Sequence, residues 1–196
     1  MLTSSSKKGF TLVEILVAIS VGLIVVLLAY ASYDLALRFT EKENKKVELA
    51  QNGRVALDRI TRDLRQSQEL VTDLPPVSDD PDSPPPAEIV FQDGHTLEPI
   101  QYIRYYVLDG SLHRERSHYY FSDDPDSWVI WSAVVVDEFG HSHSAEKAID
   151  ADEVIAEYID YLIFWGEDRL VHIMLTALSL EEKVDFLTGV CGRNLR

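Results

Sequence analysis

The chain is almost without cysteine. Cys191 is the single one among 196 residues, so an intrachain disulfide is excluded. The sequence also lacks a phosphate-binding loop, a nucleophile elbow and a dinucleotide-binding fingerprint. We therefore expect no enzyme activity and no cofactor. The fold must then be stabilised by its core, by a metal or by neighbouring subunits.

Positive charge is also scarce. The chain has 18 Lys and Arg against 33 Asp and Glu, a net charge of −15. The excess lies in residues 70–196, which carry eight basic and twenty-five acidic residues. Such a surface repels phosphate backbones, so nucleic-acid binding by this part is not expected.

Glycine and proline are absent from Leu23 to Asn52, and charge is absent between Glu14 and Asp34. As a helix, the segment Ile15–Tyr33 would be about 28 Å long. The hydrocarbon core of a bilayer is roughly 30 Å thick. This segment is therefore predicted to span a membrane.

Glu14 places one carboxylate at the start of this apolar segment. A carboxylate in such a segment costs ~2–3 kcal/mol at the centre of a helix and less near its end. We expect a positive charge on another copy or on a sibling subunit to offset this cost.

An ordinary secretory signal peptide is the alternative interpretation of the N-terminus. Lys7 and Lys8 would precede an apolar region, Ile15–Leu28, with cleavage after Ala31. The product would be a secreted soluble binding protein. Glu14 argues against this alternative, as does the absence of any helix-breaking residue directly after Ala31.

The run Lys-Lys-Gly-Phe-Thr-Leu-Val-Glu at residues 7–14 resembles the class III signal of type IV prepilins and type II secretion pseudopilins. The resemblance implies that prepilin peptidase cleaves after Gly9 on the cytoplasmic side and that the new N-terminal residue, Phe10, is N-methylated. It further implies that Glu14 pairs with the amino terminus of a neighbouring subunit and that Thr11 supports this contact.

Three distal segments resemble PilW-like minor pilins and J-type minor pseudopilins. They are Leu57–Arg65, Tyr105–Arg114 and Arg193-Asn194. This resemblance implies a minor subunit that primes filament assembly or caps the tip, with other minor subunits and the major subunit as partners. It implies a single-pass protein of the inner membrane, with a cytoplasmic N-terminus and an extracytoplasmic head. Type IV pilus and type II secretion remain open.

The expected fold class is α+β, with one long N-terminal helix packed on a C-terminal antiparallel β-sheet, as in pilins. The expected segments are a leader (1–9), a transmembrane half-helix (10–37), an amphipathic half-helix (38–72), a Pro/Asp-rich loop (73–87) and a β-rich head (88–196).

Within this frame the helix is predicted to continue to about Leu70. Its apolar stripe of Gly53, Leu57, Ile60 and Leu64 should pack on the sheet. The opposite face carries i,i+4 charge pairs such as Arg59/Asp63, which we interpret as solvated. Strands are predicted at 88–92 and 184–190, and residues 128–136 are predicted to be β-rich. Hairpins are predicted over 100–121 and 158–178, with the second turning at 166–168, and residues 145–157 are left as helix or loop.

Two patterns raise the question of metals. The sequence Asp-Asp-Pro-Asp-Ser occurs twice and gives weak calcium candidates at Asp79, Asp80, Asp82, Asp123, Asp124 and Asp126. Neither copy has EF-hand spacing, so solvated acidic turns are favoured. His141 and His143, beside Glu138, could form a zinc site of a secreted hydrolase with His113 or His118. A polar loop is favoured there, and we assign no metal.

Overall fold

The structure is a computed structural model that describes residues 11–95, 99–137, 139–179 and 182–193. The predicted cleavage site at Gly9-Phe10, Glu138 and the C-terminal Asn194 lie outside the described residues. The chain divides into two compact units, one ending at Asn44 and the other, here called the head, beginning at Lys45.

A single helix, α1, runs over Leu12–Gln66, 55 residues. The absence of glycine and proline over its middle explains why it is unbroken, since these are the residues that most often end a helix. The predicted end at Leu70 is wrong. Residues 67–72 lie along the first strand instead, because Val71 N–H donates to Val90 O at 2.9 Å and Gln92 N–H to Glu69 O at 2.9 Å.

Within the described residues, ten strands follow the helix. They are β1 (Ile89–Gln92), β2 (Tyr102–Leu108), β3 (Ser111–Phe121), β4 (Asp124–Val129), β5 (Val134–Val136), β6 (Ser142–Ser144), β7 (Glu146–Glu157), β8 (Ile159–Glu167), β9 (Leu170–Ser179) and β10 (Glu182–Cys191). One sheet has the order β1-β2-β3-β4, with β7 also paired to β3. A second has the order β10-β9-β8, and β5 and β6 form a short ribbon. All these pairings are antiparallel.

Both predicted hairpins are confirmed. In the first, Leu108 pairs with Ser111 across Asp109-Gly110, and both turn residues have positive φ, at 50° and 74°. This is the geometry that favours Asp-Gly in two-residue turns. In the second, the turn lies at Asp168-Arg169 rather than at 166–168, because Glu167 already pairs with Leu170.

One other prediction is corrected. Residues 145–157 form neither helix nor loop, because Glu146–Glu157 is the long strand β7 paired along β3. Residues 128–136, predicted to be β-rich, belong to two strands, β4 and β5, separated by a turn. For β7, pairing with a distant strand decides the local conformation, as is common for strands.

The predicted packing of the helix stripe on the sheet is confirmed. Buried α1 residues are Leu49, Gly53, Ala56, Ile60, Asp63 and Leu64. They join a core with side chains of both larger sheets, including Phe91, Tyr105, Phe164, Ile173 and Leu175. Each fully buried side chain of this size contributes roughly 1.5–3 kcal/mol. A Cβ at Gly53 would lie 2.2 Å from the Phe186 ring, so glycine permits the close approach of α1 to β10.

The Pro/Asp-rich segment 73–87 forms no helix, as predicted, but it is bound to the sheet rather than free. Phe164 N–H donates to Pro86 O at 3.1 Å and Gly166 N–H to Pro75 O at 2.8 Å. The loop therefore satisfies backbone donors of β8, which would otherwise be an open sheet edge.

Candidate assembly site

The N-terminus of α1 is closed by a reciprocal pair of hydrogen bonds between Thr11 and Glu14. The Glu14 backbone N–H donates to Thr11 Oγ1 at 3.3 Å, and the Thr11 backbone N–H donates to Glu14 Oε2 at 2.9 Å. The Thr11 hydroxyl also donates to Glu14 Oε2, at 3.1 Å. This is a capping box, which satisfies backbone donors that a helix start leaves open.

The geometry leaves half of the Glu14 carboxylate available. Both hydrogen bonds from Thr11 fall on Oε2. Among the described residues, Oε1 accepts no hydrogen bond from another side chain or from the backbone. Glu14 can therefore cap its own helix and still offer one oxygen to a cation from outside the chain.

The first unit leaves its apolar surface uncovered. Over the described residues of this unit, large hydrophobic side chains are exposed along the whole segment, from Leu12 at 78% to Phe39 at 60%. By length and composition, α1 can cross a membrane, and its most apolar part is not buried by any of the described residues. A surface of this size requires lipid or neighbouring subunits around it. The chain is thus suited to single-pass membrane anchoring.

In the head, Asp63 forms a buried ionic cluster between helix and sheet. Its carboxylate Oδ2 accepts hydrogen bonds from Tyr105 O–H and from Arg114 Nε, both at 2.8 Å. The side chains of Asp63 and Arg114 are 1% and 6% exposed. Burial, followed by the Asp63 charge, raises the pKa of Tyr105. Burial lowers the pKa of Arg114, but the hydrogen bond and charge of Asp63 outweigh it and raise the pKa overall.

This cluster corrects one sequence interpretation. Asp63 was assigned with Arg59 to a solvated charge pair, yet only Arg59 is partly exposed, and its Nε lies 3.7 Å from the Asp63 carboxylate. Helical spacing alone could not show the burial, because Arg114 is 51 residues away in sequence. The capping box has a sequence signal, Thr-x-x-Glu before an apolar run, but the sequence prediction assigned Thr11 and Glu14 only to a contact with a neighbouring subunit.

The calcium candidates are not brought together. In the first copy, Asp82 N–H donates to Asp80 Oδ1 at 2.9 Å, a local turn contact. In the second copy, Asp124 and Asp126 belong to the exposed strand β4 rather than to a turn. Among the described residues, no group of three His, Cys, Asp or Glu side chains is arranged to hold a metal ion.

The four histidines considered for zinc lie beside three different aspartates rather than around one site. His113 lies 3.1 Å from Asp152, and His118 lies 2.8 Å from Asp150. His141 and His143 approach the same oxygen of Asp137, at 3.1 and 3.4 Å. The His141 backbone N–H also donates to Asp137, and this hydrogen bond lowers the pKa of Asp137.

The tryptophan side chains of the head lie outside the buried core. Trp128 stacks on His118 with ring centroids 4.0 Å apart, and Trp165 stacks on His172 at 5.4 Å. Trp131 is 39% exposed. The core aromatics, including Phe91 and Tyr105, lie elsewhere on the strands.

Comparisons with known proteins give one result, at the N-terminus. Residues 4–30 match the model of the prokaryotic N-terminal methylation motif. No curated protein and no solved structure matches the chain significantly. The matched segment contains the expected cleavage bond and both members of the capping box. The chain therefore carries the class III signal of the type IV prepilin-like family, the signal that prepilin peptidase processes.

Proposed function

We propose that this protein is a minor subunit of a membrane-anchored filament, either a type IV pilus or a type II secretion pseudopilus. Its role is structural rather than catalytic: it primes assembly or caps the tip together with other minor subunits. The observation that carries the proposal is the methylation motif at residues 4–30, which includes the start of a helix whose apolar surface is left uncovered by the described residues.

The orientation follows from charge. Lys7 and Lys8 lie on the N-terminal side of the apolar segment, and basic residues next to a membrane span favour the cytoplasm. The head is then extracytoplasmic. The apolar half of α1 is anchored in the inner membrane before assembly and lies in the filament afterwards. Prepilin peptidase is the first partner, and the major subunit and sibling minor subunits follow.

Mass spectrometry of the mature N-terminus tests this directly. The chain should begin at N-methylated Phe10, having lost only residues 1–9. A bulky residue at Gly9, for example Gly9→Leu, should leave the protein in the membrane, unprocessed and unassembled. Gly22→Leu is the matched control for cleavage, because it makes the same substitution in the apolar helix, away from the Gly9-Phe10 bond. A mature chain beginning at Ser32 would instead establish an ordinary signal peptide.

The minor role has a test of its own. Quantitative mass spectrometry of purified filaments should find this protein in far fewer copies than the most abundant subunit. Deletion of the gene should reduce filament number more than filament length, since priming acts at initiation. Copy numbers equal to those of the main subunit would contradict a priming or capping role.

A further inference from the structure

The head has a groove of about 560 Å³ between helix α1 and strand β7. We call it the α1–β7 groove. Its lining is Arg54, Val55, Asp58, Arg59 and Arg62 on the helix and Glu153, Val154 and Ile155 on the strand. The capping box lies elsewhere, and only Arg59 connects this surface to the buried Asp63 cluster, so the chemistry of the groove requires an explanation of its own.

The carboxylates in and beside the groove already have cationic partners. Asp58 binds Arg62 at 2.6 Å and Glu153 lies 3.6 Å from Arg116. Asp63 lies 2.8 Å from Arg114 and 3.7 Å from Arg59, so two guanidinium groups share it.

Two arginines therefore lack a full set of carboxylate or hydrogen-bond partners. Arg54 has no carboxylate within ion-pair distance among the described residues. Arg59 Nε is buried without a hydrogen-bond partner there. In a chain of net charge −15, this groove is a local site of surplus positive charge.

The apolar part of the groove is also without a partner. Val55 is 54% exposed and Val154 is 56% exposed, although each belongs to a regular element of the head. A bound aliphatic side chain between them would remove apolar surface from water, at ~25 cal/mol for each Å².

Strand β7 adds backbone groups to the same place. Within the described residues it pairs on one side only, with β3. Residues 151–154 keep a continuous register with β3, and register shifts lie on either side of them. In an antiparallel strand, alternate residues direct N–H and C=O away from the paired neighbour. An open edge of this kind can accept another strand.

We propose that the α1–β7 groove binds an extended acidic segment of a partner protein. The segment adds a strand to β7, places carboxylates against Arg54 and Arg59, and inserts an aliphatic side chain between Val55 and Val154. Charge complementarity selects this occupant. On β7 itself, Asp152 and Glu153 already have partners on β3, namely His113 at 3.1 Å and Arg116 at 3.6 Å, so they leave Arg54 and Arg59 available to the ligand.

The test uses the full chain in detergent and a fluorescein-labelled peptide of sequence Asp-Val-Asp-Val-Asp-Val-Glu. The neutral analogue, with Asn and Gln in place of the acids, is the ligand control. Fluorescence anisotropy should show binding of the acidic peptide that weakens with salt, and weaker binding of the analogue. Hydrogen exchange should slow at backbone amides within residues 151–154 when the acidic peptide is bound.

Arg54→Glu should weaken binding by about tenfold or more, because it reverses a charge that faces the ligand. Lys46→Glu makes the same charge change at an exposed position of α1 outside the groove, and should change affinity by less than about twofold. Val55→Glu keeps Arg54 and should also weaken binding. Tryptophan fluorescence checks that each variant is folded.

Several results would overturn the proposal. They are equal binding of the acidic and neutral peptides, equal losses in Arg54→Glu and Lys46→Glu, or unchanged exchange in β7. Tighter binding of a peptide of this chain's own residues 77–83, Val-Ser-Asp-Asp-Pro-Asp-Ser, would assign the groove to a second copy instead. None of these results bears on processing at Phe10, so failure here leaves the filament proposal to its own test.

Discussion

Removing the charge of Asp63 should destabilise the head far more than removing an exposed charge of the same helix. Asp63 accepts hydrogen bonds from Tyr105 and Arg114 at 2.8 Å each, and its side chain is 1% exposed. In Asp63→Asn, the Arg114 guanidinium, itself 6% exposed, remains buried without a counter-charge. Breaking a buried pair in this way costs ~3–5 kcal/mol.

The assay is thermal unfolding of the full chain in detergent, followed by tryptophan fluorescence. All three tryptophans, Trp128, Trp131 and Trp165, lie in the head and report on it. For a domain of this size, each kcal/mol changes Tm by ~2–4 °C, so the expected decrease is roughly 10 °C.

Asp58→Asn is the matched control, because it makes the same chemical change on the same helix. Asp58 is 69% exposed and pairs with Arg62 at 2.6 Å. An exposed i,i+4 pair contributes only ~0.3–0.5 kcal/mol. If Asp63→Asn lowers Tm no more than Asp58→Asn does, the buried cluster contributes nothing specific and the argument is refuted.

A double-mutant cycle measures the interaction between Asp63 and Arg114 separately from their contacts with other residues. Arg114→Leu alone leaves Asp63 without its main counter-charge, whereas Asp63→Asn with Arg114→Leu leaves neither charge buried. The double variant should therefore lose less stability than the two single losses added together, by ~1 kcal/mol or more. Strict additivity would mean that the two side chains do not interact.

Three further outcomes are expected. Because the pKa of Tyr105 is raised in the folded state, its contribution to stability is complete below the ordinary tyrosine pKa of about 10. Above that pH, the free energy of unfolding should decrease by ~1.4 kcal/mol per pH unit until the higher folded pKa is reached. Tyr105→Phe should remove this loss of stability at alkaline pH, as measured by denaturant titrations. Gly53→Val should lower stability by ~1–3 kcal/mol through collision with Phe186, whereas Gln51→Val at an exposed position should not. A fragment beginning at Arg38 should be a soluble folded monomer, insensitive to reducing agents because Cys191 has no mate; sedimentation and circular dichroism check this.

Sequence patterns predicted the structure correctly where neighbouring residues alone determine the backbone conformation. Asp109-Gly110 predicted its hairpin because two-residue turns have strict backbone requirements. Strand β7 escaped prediction because its apolar residues do not alternate regularly, and its register with β3 is interrupted twice. The conformation of β7 depends on pairing with β3, and the local sequence of β7 carries no information about that partner. Asp63 was misplaced for the same reason, since its main partner Arg114 lies on a distant strand.

The N-terminal site was readable for a different reason. Processing depends on a linear run of residues, so the motif at residues 4–30 carries its meaning without tertiary structure. The roles of Thr11 and Glu14 within that motif needed coordinates, because only the hydrogen bonds show that a single carboxylate oxygen, Oε2, serves the capping box.

This geometry separates two roles of Glu14, helix capping and pairing with a neighbour's amino terminus. Glu14→Gln keeps an oxygen for the capping box, which accepts Glu or Gln, but removes the charge. Glu14→Val removes both. We expect both variants to insert and to be cleaved, since the carboxylate costs the lone subunit ~2–3 kcal/mol at most. In the assembly, either change leaves a neighbouring ammonium buried alone, a loss of ~3–5 kcal/mol. The measurement is co-purification with sibling subunits from detergent at equal expression, and both variants should be recovered less than wild type. If Glu14→Gln co-purifies as wild type does and only Glu14→Val fails, then Glu14 acts by starting its own helix and the intersubunit ion pair does not exist.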